Sequence, residues 1–215
     1  MKQEYFAICI TRTCGSGGTV IGKMLSEQLH IDLYDRKLLR LASDDSGINE
    51  RLFAKADQDV KKTILYKVTK SVYNGEDIPG ESGNLTSDRK LFEFQAKVLK
   101  GLLKKESFVV LGRAADFVLK DNPGAVSVFL SASPEACFQR EQEILQTDEL
   151  GVNRHIRSIN RYRSDYYKYH TGKKWKNPEN YDLCLRTDLL GYQGCVNVIV
   201  HYINQRMGTK LTVFD

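Results

Sequence analysis

No apolar run in these 215 residues approaches the length that a membrane-spanning helix needs. The opening, MKQEYFAICITRT, holds too short an apolar stretch for a secretory signal, and no cleavage-site pattern follows it. Cysteine is sparse. Cys9, Cys14, Cys137, Cys184 and Cys195 are scattered, odd in number and without C-x-x-C spacing, which argues for free thiols and a cytoplasmic setting. His30, His155, His170 and His201 form no ligand cluster along the chain, so no metal-binding motif is visible. Internal repeats and low-complexity tails are also missing. The net charge of +5 is mild. It suits an anionic ligand such as a nucleotide but is too weak to argue for DNA or RNA.

What is there is ordinary for one sizeable domain: 41% hydrophobic and 27% charged residues. Four apolar segments read as buried strands: YFAICI (5–10), SFVVLG (107–112), AVSVFLS (125–131) and, less sharply, YDLCLRT (181–187). IDLYD (31–35) is a shorter fifth candidate. Helical spacing of apolar residues predicts helices over 18–29, 88–104, 134–146 and 192–206. Ser133 is the expected N-cap of the third, with Pro134 at its first position. Strands alternating with helices imply an α/β fold, a parallel sheet covered on both faces. Residues 73–88 are polar and turn-rich and predict a loop, while 154–180 combine basic and aromatic residues at high density.

In such a sheet, ligands bind beyond the carboxyl ends of the strands. The first strand runs into TRTCGSGGTVIGKML, residues 11–25. Gly15, Ser16, Gly17 and Gly18 let backbone amides converge on an anion at a helix N-terminus, and Thr19 stands where such loops offer a Mg²⁺ ligand. Against the G-x-x-x-x-G-K-[ST] template, Arg12 sits at the first glycine and Gly18 at the lysine. Arg12 is the better source of replacement charge, since Lys23 lies a turn further into the helix. A tight turn that needs glycine for backbone reasons is the competing reading.

Gly112–Arg113 closes the second long strand. Its guanidinium could grip a phosphate or pair with Asp116, and the stretch alone does not decide. Arg154, Arg157 and Arg161 share one helical face if their segment is helical, and Arg163 follows. That cluster suits a transferring phosphoryl group, a solvated basic surface, or RNA contact with Tyr166, Tyr167 and Tyr169.

In order, GSGG, YDR (34–36), LGRAADFVL, VFLSASPEACFQR, RSINRYRSDYY and YDLCLRTDLLG resemble bacterial cytidylate kinases. The match is nearer still to the cytidylate kinase-like proteins, and it covers almost the whole chain. The resemblance implies a P-loop fold with a five-stranded parallel sheet, a helical monophosphate-binding insertion near 40–105 and a lid near 147–180. It implies ATP as phosphate donor, Mg²⁺, and a nucleoside monophosphate as acceptor. Asp35, Arg36 and Arg113 would meet the acceptor, and Arg157, Arg161 and Arg163 the transferred phosphate. The chain departs from cytidylate kinases at Gly18, at Ala114, where they have aspartate, and at Asn160, also an aspartate in theirs.

Three readings follow. The first is a nucleotide-dependent phosphotransferase. The second is a nucleotide- or anion-binding protein without turnover, motivated by the missing lysine. RNA binding through 154–176 ranks third. A homo-oligomer is left open.

Overall fold

The computed structural model describes residues 5–35, 64–72 and 85–213. Arg36 and much of the expected 40–105 insertion lie outside the described residues.

Five strands form one parallel sheet. They are β1 (Ala7–Arg12), β2 (Asp32–Tyr34), β3 (Phe108–Leu111), β4 (Ala125–Ser131) and β5 (Leu183–Arg186), in spatial order β2-β3-β1-β4-β5. Four of them fall within the apolar segments read from the sequence, and β1 runs two residues past its segment, to Arg12. The central strands are apolar on both sides because both faces are covered. Along β1 and β3 the side chains alternate between two cores. Ala7, Cys9, Phe108 and Val110 pack with helices α2 (Ile64–Val72) and α3 (Leu85–Leu102). Ile8, Ile10, Val109 and Leu111 pack with α1 (Gly18–Leu29) and with the last helix (Thr187–Met207).

Between these come the short α4 (Ala115–Val118), α5 (Pro134–Leu145) and α6 (Glu149–Thr171), with the last helix numbered α7. The Ser133 side chain caps α5 by accepting from the Ala136 amide, with Pro134 in the first turn, as expected. The 73–88 loop needs one correction. Residues 85–88, LTSD, already belong to α3 and hold no glycine or proline to delay its start. Residues 73–84 lie outside the described residues. The last helix starts at Thr187 rather than 192, and Gly191, at φ 69 and ψ 174, interrupts it near its start.

A third cluster ties α6 to the sheet. Tyr167 and Trp175 pack with Phe129 and Ala114. Beneath them lies Asp116, only 5% exposed. Its carboxyl accepts from the Tyr167 hydroxyl at 2.7 Å and from the Thr11 hydroxyl at 3.5 Å. Burial raises its pKa from 3.8 to about 6, more than those bonds lower it.

The folded protein therefore holds a proton that the unfolded chain releases. The penalty for the buried carboxylate is present above pH 6 and fades as pH falls from 6 toward 3.8. Asp116→Asn should remove that penalty. The variant is expected to melt higher than wild type near pH 8, with the gap closing near pH 4. Parallel melting profiles across that range would contradict the assignment.

Candidate phosphate-binding site

Beyond β1 the chain turns through Thr13–Gly17 and enters α1. Gly15 and Gly17 have φ of 76 and 73, the left-handed region that glycine enters without strain. The first intrahelical bond runs from the Ile21 amide to the Gly17 carbonyl, so the Gly18 and Thr19 amides point out of the helix end. With the helix dipole, that makes an anion cradle. The loop is braced from below. Arg140 donates through Nη1 to the Gly15 carbonyl and to the Thr187 hydroxyl, both at 3.1 Å, and Thr187 donates to the Ser16 carbonyl at 2.8 Å.

The place of the lysine is filled. A β-carbon added to Gly18 would lie 2.7 Å from both Cβ and Cγ of Arg12. The arginine stem thus runs through the space that a side chain at 18 would need. Its guanidinium reaches the end of β3, where a β-carbon on Gly112 would lie 2.7 Å from Nη1. Its buried Nε has no hydrogen-bond partner among the described residues. Burial, then Arg163, then Arg113 hold the Arg12 pKa well below the arginine range, while Asp35 partly offsets them. A buried cation beside two others is a costly arrangement that an anion would relieve.

Arg113 and Ala114 follow Gly112 in the left-handed region, with φ of 72, 60 and 50 for Gly112, Arg113 and Ala114. Strain of this kind in non-glycine residues gathers at ligand sites. The bend lays the Arg113 guanidinium 4.7 Å above the Tyr166 ring. Tyr166 meets His170, which stacks on Phe92 of α3 at 4.2 Å between centroids. Burial, and then Arg113, lower the His170 pKa to about 4, so the ring is neutral at pH 7. Asp116, the alternative partner for Arg113, spends its carboxylate on Tyr167 and Thr11.

Helix α6 crosses this edge with one stripe inward. Asn160 Oδ1 accepts from the Cys14 amide at 2.8 Å, and Arg163 Nη1 donates to the Arg12 carbonyl at 3.0 Å. A cavity of about 130 Å³ opens among Arg12, Arg113 and Arg163, walled by Tyr162, Tyr166 and Trp175. Arg157 and Arg161 are exposed instead. They line an outer groove with Arg154, and Arg161 pairs with Asp165 at 3.6 Å. Arg154, Arg157 and Arg161 do share a face, but it is the solvated one.

The structure thus brings together Arg12, the Gly15–Thr19 loop, Arg113 and Arg163, with Asp35 near Arg12. It leaves Arg157 and Arg161 outside. Sequence reading missed the bracing by Arg140 and Thr187 and the loop contact of Asn160. None of these carries a local signal, since each bond joins residues far apart in the chain. Thr19 is exposed on the first turn of α1, which fits Mg²⁺, a cation that takes oxygen ligands and keeps several waters. Among the described residues, no helix is long and apolar enough to cross a membrane.

Known proteins are similar to this chain as a whole. A cytidylate kinase from Fervidobacterium nodosum is 26% identical over 160 residues, covering 68% of this chain and 72% of its own. A solved structure of an uncharacterized protein from Eubacterium ventriosum superposes with a TM-score of 0.68 at 25% identity, covering 93% of this chain and 99% of that one. A shikimate kinase from Bacteroides thetaiotaomicron reaches a TM-score of only 0.48 at 14% identity, with 95% and 99% covered. The family model described as "Cytidylate kinase-like family" matches residues 7–189. With most of its length matched, from the first strand through the start of the last helix, the chain belongs to the cytidylate kinase-like family.

Proposed function

We propose that this protein transfers the terminal phosphoryl group of ATP to a nucleoside monophosphate, with Arg12 standing in for the loop lysine. The observation that carries the reading is the convergence of Arg12, Arg113 and Arg163 on one cavity beyond the ends of β1 and β3, with the Arg12 stem packed against Gly18 of the glycine loop. Family membership and the likeness to a cytidylate kinase support a nucleotide-kinase-like role.

The loop amides would hold the donor phosphates, with Arg12 across them. Arg113, fixed on Tyr166, would hold the acceptor phosphate. An acceptor oxygen then attacks the terminal phosphorus in line, and the bond to the bridging oxygen breaks to release ADP. Catalysis of this kind is positioning and charge neutralisation, so it needs no covalent intermediate. Thr19 would hold Mg²⁺, which supplies further neutralisation of phosphate charge when bound. Helix α6 would act as the lid, keeping Arg163 over the loop and water out.

Incubation with ATP, Mg²⁺ and a panel of nucleoside monophosphates tests this directly. A diphosphate product is expected, and no product above background with any acceptor would end the proposal. Nucleotide-dependent thermal stabilisation without product would point to the second reading, a binding protein, which the loss of the lysine favours. The arginines can be separated as well. Arg163→Ala is expected to lower kcat/KM by about 100-fold, whereas Arg157→Ala on the exposed face stays within about threefold. Equal losses would mean that α6 turns its outer face inward during turnover.

A further inference from the structure

At the phosphate loop, where Arg163 also lies close to Cys14 and Glu141, the fold assembles a cluster that no motif announces. Cys14 of the loop, Glu141 of α5 and His155 of α6 each place one donor atom within 4.8 Å of the other two. His155 Nε2 lies 3.5 Å from Glu141 Oε2. Cys14 is buried, and the Glu141 and His155 side chains are 14% and 39% exposed. We propose that Cys14, Glu141 and His155 form a transition-metal site, with Zn²⁺ as the fitting ion, that fastens the phosphate loop to α5 and α6.

The donor chemistry selects the ion. Thiolate, imidazole and carboxylate together suit Zn²⁺, while Mg²⁺ and Ca²⁺ prefer oxygen alone. Zinc bonds of about 2.0–2.3 Å to these atoms in tetrahedral geometry put donors roughly 3.3–3.8 Å apart. The His155–Glu141 pair already has that spacing, and the widest edge needs a contraction of about 1 Å, within reach of side-chain rotation. Three protein ligands leave a fourth position for water.

Cys14 is held for this role from behind, since its amide donates to Asn160 Oδ1 at 2.8 Å. Without a cation, burial and then the Glu141 carboxylate push the Cys14 thiol up to about 12. The empty site therefore holds a proton on sulfur, and metal binding must release it. The cluster escaped sequence reading because its three ligands come from three separate elements. The assignment stands whether or not the protein turns over.

Cobalt is the direct probe. Chelator-treated full-length protein titrated with Co²⁺ should show a thiolate-to-cobalt charge-transfer band that saturates at one ion per chain, and Zn²⁺ should displace it. Cys14→Ser should abolish the band, and Cys184→Ser, at an exposed thiol, should leave it unchanged. Because Cys14 lies in the loop core, Glu141→Gln and His155→Asn provide a second test that keeps the thiol. Each should weaken Zn²⁺ binding by at least about 100-fold in competition with a chromophoric chelator, more than the loss of an outer partner costs. No band in the native protein, a band that survives Cys14→Ser, or unchanged zinc affinity in Glu141→Gln and His155→Asn would overturn the assignment.

Discussion

Replacing Arg12 with alanine is expected to lower kcat/KM by about 10³-fold or more while leaving the melting temperature equal to or above that of the native protein. The two effects separate because the side chain is functional rather than cohesive. Its Nε has no hydrogen-bond partner among the described residues, and its charge sits beside Arg163 and Arg113. Removing a buried cation that two neighbouring cations disfavour relieves the folded state. The same removal deprives a bound donor of the guanidinium whose stem passes Gly18, the lysine position. Stabilisation by ATP or inorganic phosphate should fall with it, since ligand binding raises stability only through affinity for the native state. Steady-state kinetics and thermal melts with and without ATP check this. Activity within about threefold of wild type would show that Arg12 is a packing residue.

Restoring the lysine alone should fail, and restoring it together with a glycine at position 12 should succeed. Gly18→Lys puts a β-carbon 2.7 Å from two carbons of the Arg12 stem. Overpacking of this kind costs about 1–3 kcal/mol and would displace the loop. Arg12→Gly alone empties the channel and loses the charge. In the double variant the stem is gone, the lysine has room, and the loop matches the usual template at both positions. Its kcat/KM should exceed that of either single variant by about tenfold or more, and its stability should exceed the additive expectation by about 1–2 kcal/mol. A double-mutant cycle in melting and turnover measures both. Additivity would mean that Arg12 and residue 18 do not compete for one space.

Much of this molecule is legible along the chain. The apolar runs at β1, β3 and β4 and the helical spacing over 18–29 depend on neighbours within a few residues, so pattern alone reveals them. Helix α6 marks the limit. Its arginines at 154, 157 and 161 do lie on one face, yet that face meets solvent. Val152, Ile156 and Ile159, at helical spacing with Arg163, carry the signal for the inward stripe. The basic residues mark the solvated side, because charge favours water, whereas burial follows the apolar stripe.

Local order therefore set the parallel α/β sheet, the glycine turn at Gly15–Gly18 and the strand ends that carry Arg12 and Arg113. These rest on backbone hydrogen bonding and on the period of apolar residues, both short-range. Packing between distant segments decided the rest. It threaded the Arg12 stem past Gly18, turned Arg163 and Asn160 toward the loop, and gathered Cys14, Glu141 and His155. Those contacts depend on which faces of separate helices meet, and the spacing of residues along one strand or helix marks which face is buried but not what it meets.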